Sequence, residues 1–297
     1  MPELSDINVV KEILSRHGFH FSKSLGQNFI VDPDVCPRIA YESGVNKEMC
    51  ALEIGPGVGV LTKELAKRAK KVLAVEIDSA LPPVLAETLG EFDNVTVLNA
   101  DVLKIDVEKT AREYFGDCPF VVCANLPYYI TSPILMKLLE EGCGAESITV
   151  MVQKEAAQRI AAKPGTRDCG ALTAAIHYYS EPEKLFDVGR NSFVPAPKVD
   201  SSVIRLKIRK EPPVAVADEK YFFKVIKAAF GQRRKTLANS VSGGLGLSKE
   251  EVFSALSECG LSATARAEEL SLDDFAALCA ALAKIQQSRN NSSTCKK

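Results

Sequence analysis

Between Cys50 and Arg209 short β-branched and aliphatic runs alternate with segments whose apolar positions recur every three to four residues. That alternation predicts a parallel sheet with helices on both faces. Ala51–Ile54, Lys71–Val75, Val95–Leu98 and Phe120–Ala124 read as successive strands, and Ile148–Val152 and Val203–Ile208 extend the sheet. Leu61, Leu65 and Ala69 fall on one face of a helix after the first strand. The expected fold class is α/β, a doubly wound, mostly parallel sheet of about seven strands.

After Arg209 the pattern changes. Glu211-Pro212-Pro213 breaks the sheet rhythm, and the stretches 221–230, 248–259 and 271–285 each carry an apolar stripe at helical spacing. Ser248 with Glu251 and Ser271 with Asp274 have the spacing of capping boxes, although aspartate reaches less well than glutamate. Near the start, Asp32-Pro33 reads as the opening of a helix. The expected organisation is a catalytic domain over 1–210 with an N-terminal helical segment, a helical domain over 211–287 and a polar, disordered tail over 288–297.

With 297 residues, 46% hydrophobic and 25% charged, the chain can bury one large core or a large and a small one. No apolar run approaches the ~20 residues that span a bilayer, and Met1–Asp6 has neither the basic end nor the apolar stretch of a signal peptide, so a cytoplasmic location is expected. The nine cysteines stand singly, with no C-x-x-C pair and three histidines in all. That excludes zinc-ligand spacing, predicts reduced, structural thiols and gives no metal site. A net charge of -1 conceals an asymmetry: Arg190–Ser240 holds twelve Lys or Arg against four Asp or Glu. A localised basic stretch of this kind suits a polyanion such as nucleic acid.

Candidate chemistry begins at Leu52-Glu53-Ile54-Gly55-Pro56-Gly57-Val58-Gly59, after the first strand. Glycines there let the backbone turn sharply and approach a ligand closely, with helix N–H groups behind them. The turn alone suits nicotinamide dinucleotides, flavins and S-adenosylmethionine alike. Two details favour S-adenosylmethionine. A carboxylate at Glu53 disfavours a pyrophosphate but suits an ammonium and a sulfonium, and the glycine spacing is G-x-G-x-G, not that of dinucleotide folds. Glu76, ending the second strand, can accept both ribose hydroxyls; Asp78 is a close competitor for the role. After the third strand, Asp101 can accept from the cofactor's adenine amine while the backbone at Val102 meets the ring. The recurrence of carboxylates after strands one, two and three strengthens each, because open sheets bind ligands beyond the carboxyl ends of their strands.

The fourth strand ends in Asn125-Leu126-Pro127-Tyr128. An exocyclic amine is a poor nucleophile because its lone pair is delocalised into the ring, so a catalyst must hold it pyramidal and aim it. The Asn125 side-chain oxygen and the Leu126 carbonyl can each accept one amine hydrogen, Pro127 fixes the turn, and Tyr128 offers a ring on which a flipped base stacks. Phe193 can supply a second ring on the other face of that base. Arg233, Arg234 and Lys235, early in the helical region, are the strongest candidates for phosphate contacts, supplemented by Lys154 and Arg159 on the helix that opens at Lys154.

Taken in order, Leu25-Gly26-Gln27-Asn28-Phe29, Glu53-Ile54-Gly55-Pro56-Gly57, Asn125-Leu126-Pro127-Tyr128, Gln153-Lys154-Glu155, Pro195–Ser201 and Phe230–Leu237 resemble the ribosomal RNA adenine dimethyltransferase family, in its bacterial small-subunit branch. The resemblance implies a Rossmann-like domain plus a small helical one, S-adenosylmethionine as methyl donor, and two methyl groups on each of two adjacent adenosines near the 3′ end of 16S ribosomal RNA. It also implies an immature 30S particle as partner, a monomer, and no metal. By position it places Asn28 and Ile30 against the cofactor with Gly55, Glu76, Asp101 and Asn125, and sandwiches the adenine between Tyr128 and Phe193. Three alternatives stand beside it. One is the related large-subunit enzyme type that confers macrolide resistance, typically more basic throughout. Another is a non-enzymatic RNA-binding or transcription factor on the same fold, opposed by the intact Gly55, Gly57, Glu76, Asp101 and Asn125. The third is a DNA adenine methyltransferase.

Overall fold

The structure is a computed structural model describing residues 4–19, 28–232 and 234–294, without the side chains of 290–294. Among them the strands are β1 (Phe29–Ile30), β2 (Cys50–Ile54), β3 (Val72–Glu76), β4 (Val95–Asn99), β5 (Phe120–Asn125), β6 (Ser147–Gln153), β7 (Ser180–Val188), β8 (Phe193–Val194) and β9 (Ser201–Ile208). Two compact units divide the chain: 1–157 with 180–208, and 158–179 with 209–297.

The first unit is built on a seven-stranded sheet in the order β4-β3-β2-β5-β6-β9-β7. β4, β3, β2, β5 and β6 are parallel, and β9 and β7 add an antiparallel edge. Every side chain of β2 and β3 is buried, which is why, apart from Glu53 and Glu76, these segments are apolar throughout. Helix Val60–Arg68 lays Leu61 and Leu65 into a core with Ile39, Val121, Cys123, Met151 and Val203. A second core gathers Leu14, Val58, Leu81, Val84 and Leu85. The helix expected at Asp32 runs instead over Val35–Glu42. Asp32 is occupied otherwise: one carboxylate oxygen accepts the Asp34 N–H at 3.1 Å and the other the Ser192 hydroxyl at 2.8 Å. Engaged in that turn and cross-link, it does not open a helix.

The second unit is helical, and it differs from the organisation expected of the sequence. Residues 158–179 belong to it and not to the sheet unit, so the chain passes between units three times and not once near 210. The reason is apolar: Ala174 and Tyr178 from helix Ala171–Tyr179 share a core with Phe222, Val225, Leu256 and Phe275. The Tyr178 ring sits 5.3 Å from Phe222 and 5.2 Å from Phe223. Both capping boxes form. Ser248 and Glu251 exchange bonds at 2.8 and 3.2 Å, and Asp274 reaches the Ser271 N–H at 2.9 Å, so the shorter carboxylate suffices. The last helix, Leu272–Thr294, continues past Ser288, where disorder was expected. Propagating an anchored helix costs little per residue, which carries it through polar sequence.

Candidate active site

Chain order reverses between β2 and β5: from β2 the chain runs outward through β3 to β4, then returns to β5 on the other side. Ile54 pairs in register with Ala124, so Gly55 and Asn125 leave neighbouring strands at one level. Helices leaving such a switch point diverge and open a crevice. The cavity there is lined by all twelve of the residues that the sequence assigns to cofactor and base: Asn28, Ile30, Gly55, Gly57, Glu76, Asp101, Val102, Asn125, Leu126, Pro127, Tyr128 and Phe193.

Gly55, Gly57 and Gly59 all have positive φ, at 71°, 59° and 92°, so this turn is open only to glycine-like backbone. Space reinforces conformation at Gly59, where a Cβ would meet the Leu89 side chain at 3.1 Å.

The carboxylates behave differently from one another. Glu76 is 4% exposed; it accepts the Asp78 N–H at 2.8 Å and the Gly57 N–H at 3.4 Å. Burial raises its pKa, against the pull of those N–H donors. Asp78, its rival in sequence, does not line the cavity and accepts the Ala80 N–H at 3.0 Å. Asp101 holds the turn after β4 through the Leu103 N–H at 3.0 Å. Glu53 is the outlier. It is 1% exposed and faces the cavity, and its Oε2 has no partner at good hydrogen-bond geometry; the Thr62 hydroxyl lies close enough to ease its charge without completing a well-formed bond. Desolvation pushes its pKa up to about 8, and the Glu76 charge adds to the rise. An orphaned, buried carboxylate oxygen on a cavity wall fits a ligand that brings positive charge. Its position in the motif is legible in sequence; its lack of a partner is not. The thiols of Cys36 and Cys123, beside it, stay protonated, since burial raises both.

Asn125 ends β5 half-buried, and among the described residues no protein group takes its side-chain amide. The turn behind it is held by the Pro127 carbonyl, which accepts from the Ile130 N–H at 3.1 Å and the Thr131 hydroxyl at 3.2 Å. Tyr128 is tied at its hydroxyl to Ser201 at 2.8 Å, a partner that no sequence spacing signals. Tyr129, next in line, is 61% exposed at the cavity mouth.

Phe193 arrives by a route that sequence reading missed. β1 and β8 form a two-stranded antiparallel ribbon in which Ile30 pairs with Phe193 and Phe29 with Val194. The Val31 N–H to Ser192 carbonyl bond at 2.9 Å extends it. The segment carrying Asn28 and Ile30 is thereby zipped to the one carrying Phe193. Such short strands leave no periodicity to read.

The basic residues are not gathered in the cavity. Arg233 lies outside the described residues; Arg234 and Lys235 are exposed in the helical unit, as is Arg159. Lys154 belongs to the sheet unit and pairs with Asp187 at 3.1 Å, an ion pair exposed enough to exchange for a phosphate at small cost.

Comparison with known proteins identifies the family of the whole chain. The family model described as ribosomal RNA adenine dimethylase matches residues 18–284. "Ribosomal RNA small subunit methyltransferase A" of Bacillus licheniformis is 51% identical over 272 residues, covering 90% of this chain and 93% of that protein. Its namesake in Geobacillus thermodenitrificans is 50% identical, covering 92% and 94%. Among solved structures, a dimethyladenosine transferase from Plasmodium falciparum superposes with a TM-score of 0.69 at 26% identity, over 84% of this chain and 95% of that one. The 23S rRNA methyltransferase ErmE does so with a TM-score of 0.65 at 30% identity, over 86% and 99%. A family model spanning residues 18–284, and relatives sharing half their positions over nine-tenths of the chain, establish that this protein belongs to the ribosomal RNA adenine dimethylase family.

Proposed function

We propose that this protein transfers methyl groups from S-adenosylmethionine to the 6-amino groups of two adjacent adenosines near the 3′ end of 16S ribosomal RNA, acting as a cytoplasmic monomer on an immature 30S particle. The observation that carries the reading is one cavity in which Asn125–Tyr128 faces Glu53, Glu76 and Asp101. The small-subunit assignment is supported by relatives of that name at 51% identity, against 30% for the large-subunit enzyme.

The residues present fit the donor. Glu53 would accept its ammonium, Glu76 its ribose hydroxyls and Asp101 its adenine amine, with Asn28, Ile30, Gly55, Gly57 and Val102 against its body. When bound, the donor supplies an electrophilic methyl group on a sulfonium. The chain's own work is orientation. The Asn125 oxygen and the Leu126 carbonyl each accept one amine hydrogen, which draws the lone pair out of conjugation and aims it. Tyr128 and Phe193 hold the extruded base between their rings. No side chain need remove a proton first, because the amine becomes acidic only as the new nitrogen–carbon bond forms. Mass mapping of methylated adenosines after incubation with immature small subunits, mature ribosomal RNA and DNA tests the reading. Methylation confined to DNA or to large-subunit RNA would overturn it.

Arg233, Arg234 and Lys235 would supply the phosphate contacts of the helical unit. Changing all three to glutamine is expected to weaken RNA binding and to lower the slope of log affinity against log salt by about 2, the release of roughly 0.7 counterion per lost single-strand contact. A titration at several salt concentrations that returns the wild-type slope would make these residues structural.

A further inference from the structure

The Tyr128 hydroxyl poses a question that stacking does not answer. A phenylalanine presents the same face to a base, so the hydroxyl contributes something other than ring area. Its partner, Ser201, is fully buried at the start of β9, where its backbone pairs with Gln153 of β6 on one side and Val188 of β7 on the other. Its neighbour Asp200 is fixed as well. The Asp200 carbonyl accepts the Lys154 N–H at 3.0 Å, and its carboxylate accepts the Arg190 N–H at 3.0 Å. Arg190 opens the short 3-10 turn Arg190–Ser192, which delivers Phe193. One dipeptide at the entry to a strand flanked on both sides therefore reaches both proposed walls of the base site: Asp200 through the turn before Phe193, Ser201 through the 2.8 Å bond to Tyr128. Tyr128, in contrast, stands on a turn beyond the end of β5. Its ring is free to swing about the two side-chain torsions unless its far end is held.

Resting on the function proposed above, we infer that Ser201 is a positioning residue for the target base, its hydroxyl holding the Tyr128 ring at the angle that aims the adenine amine. Ser202 illustrates the alternative use of a hydroxyl on this strand: it bonds Asp187 at 2.6 Å, a residue that does not line the cavity, whereas the partner of Ser201 does. Ser201 spends its bond on the platform.

The test is a cycle of Tyr128→Phe, Ser201→Ala and the double variant, assayed with RNA and S-adenosylmethionine in steady state and with S-adenosylhomocysteine in calorimetry. Each single change is expected to lower kcat about 5- to 10-fold, the scale of one neutral hydrogen bond, with cofactor affinity unchanged. The double variant should be no slower than the slower single, because both remove the same bond. With 2-aminopurine at the target position, both singles should show less quenching of emission than wild type. Wild-type kcat in Tyr128→Phe, or losses that multiply in the double, would overturn the inference. Tyr128→Phe decides alone if Ser201→Ala does not fold. An inactive wild type on adenosine would instead overturn the proposed function, so the two failures are separable.

Discussion

Replacing Asn125 with alanine is expected to lower methyl transfer by at least ~100-fold while cofactor affinity stays largely intact, the scale of removing one preorganised hydrogen-bonding group from a transition state. The separation follows from what the side chain faces. Asn125 ends β5 with its amide untaken by the protein among the described residues, so its removal leaves no buried group newly unsatisfied and little cost in stability. The cofactor would keep Glu53, Glu76 and Asp101. What disappears is one of two acceptors: the Leu126 carbonyl alone bonds one amine hydrogen and leaves the other free, so the nitrogen relaxes toward planarity. Turnover measured under saturating donor and RNA reads the effect directly. An alanine variant with unchanged kcat would show that the amine is not oriented by this residue.

The strands beneath that site were readable because burial and polarity coincide along them. β2, β3, β5 and β6 are mostly apolar and buried along their length and closed by polar or glycine turns, and the switch-point rule then points to their carboxyl ends. β7 was not singled out. As an edge strand it alternates exposed charge with burial, and Glu181, Glu183, Lys184 and Asp187 disguise it while guarding the sheet edge. The ribbon that brings Phe193 to the cavity joins residues more than 160 apart in sequence through two pairs, which no local pattern records. Helix 171–179 presents apolar residues to a partner that begins forty residues later, so its membership of the helical unit is equally non-local. At the site, residue identity was legible and environment was not. Glu53 stands in the glycine motif, but only the folded structure reveals that one of its oxygens is buried without a well-formed hydrogen bond.

That orphaned oxygen has a measurable consequence in the absence of cofactor. Glu53 holds its proton up to about pH 8 when folded, against the ordinary value of 4.5 in the unfolded chain. A raised folded-state pKa means that its stabilisation is fully present below about pH 4.5 and is lost as pH rises through about 8. Across that window the loss amounts to at most ~5 kcal/mol, undiminished by solvent because the group is buried. Glu53→Gln stays neutral throughout. Cofactor-free Glu53→Gln should therefore gain thermal stability relative to wild type between pH 5 and pH 8.5. Binding should follow the opposite sign. An ammonium facing Glu53 favours the carboxylate, so cofactor uptake releases a proton, and wild-type affinity for S-adenosylhomocysteine should climb about tenfold per pH unit from pH 6 to 7.5. The ligand's amine is still mostly charged in that interval, its ordinary pKa being about 8. Cys36 and Cys123 stay neutral there, and Glu76, whose pKa burial also raises, is present in both proteins, so the difference between them reports Glu53 together with its repulsion of Glu76. Glu53→Gln should bind more weakly at pH 7.5 and with a flatter profile. If variant and wild type share one pH dependence in both stability and affinity, the carboxylate is not the group that meets the ammonium, and its burial is not a cost that cofactor binding relieves.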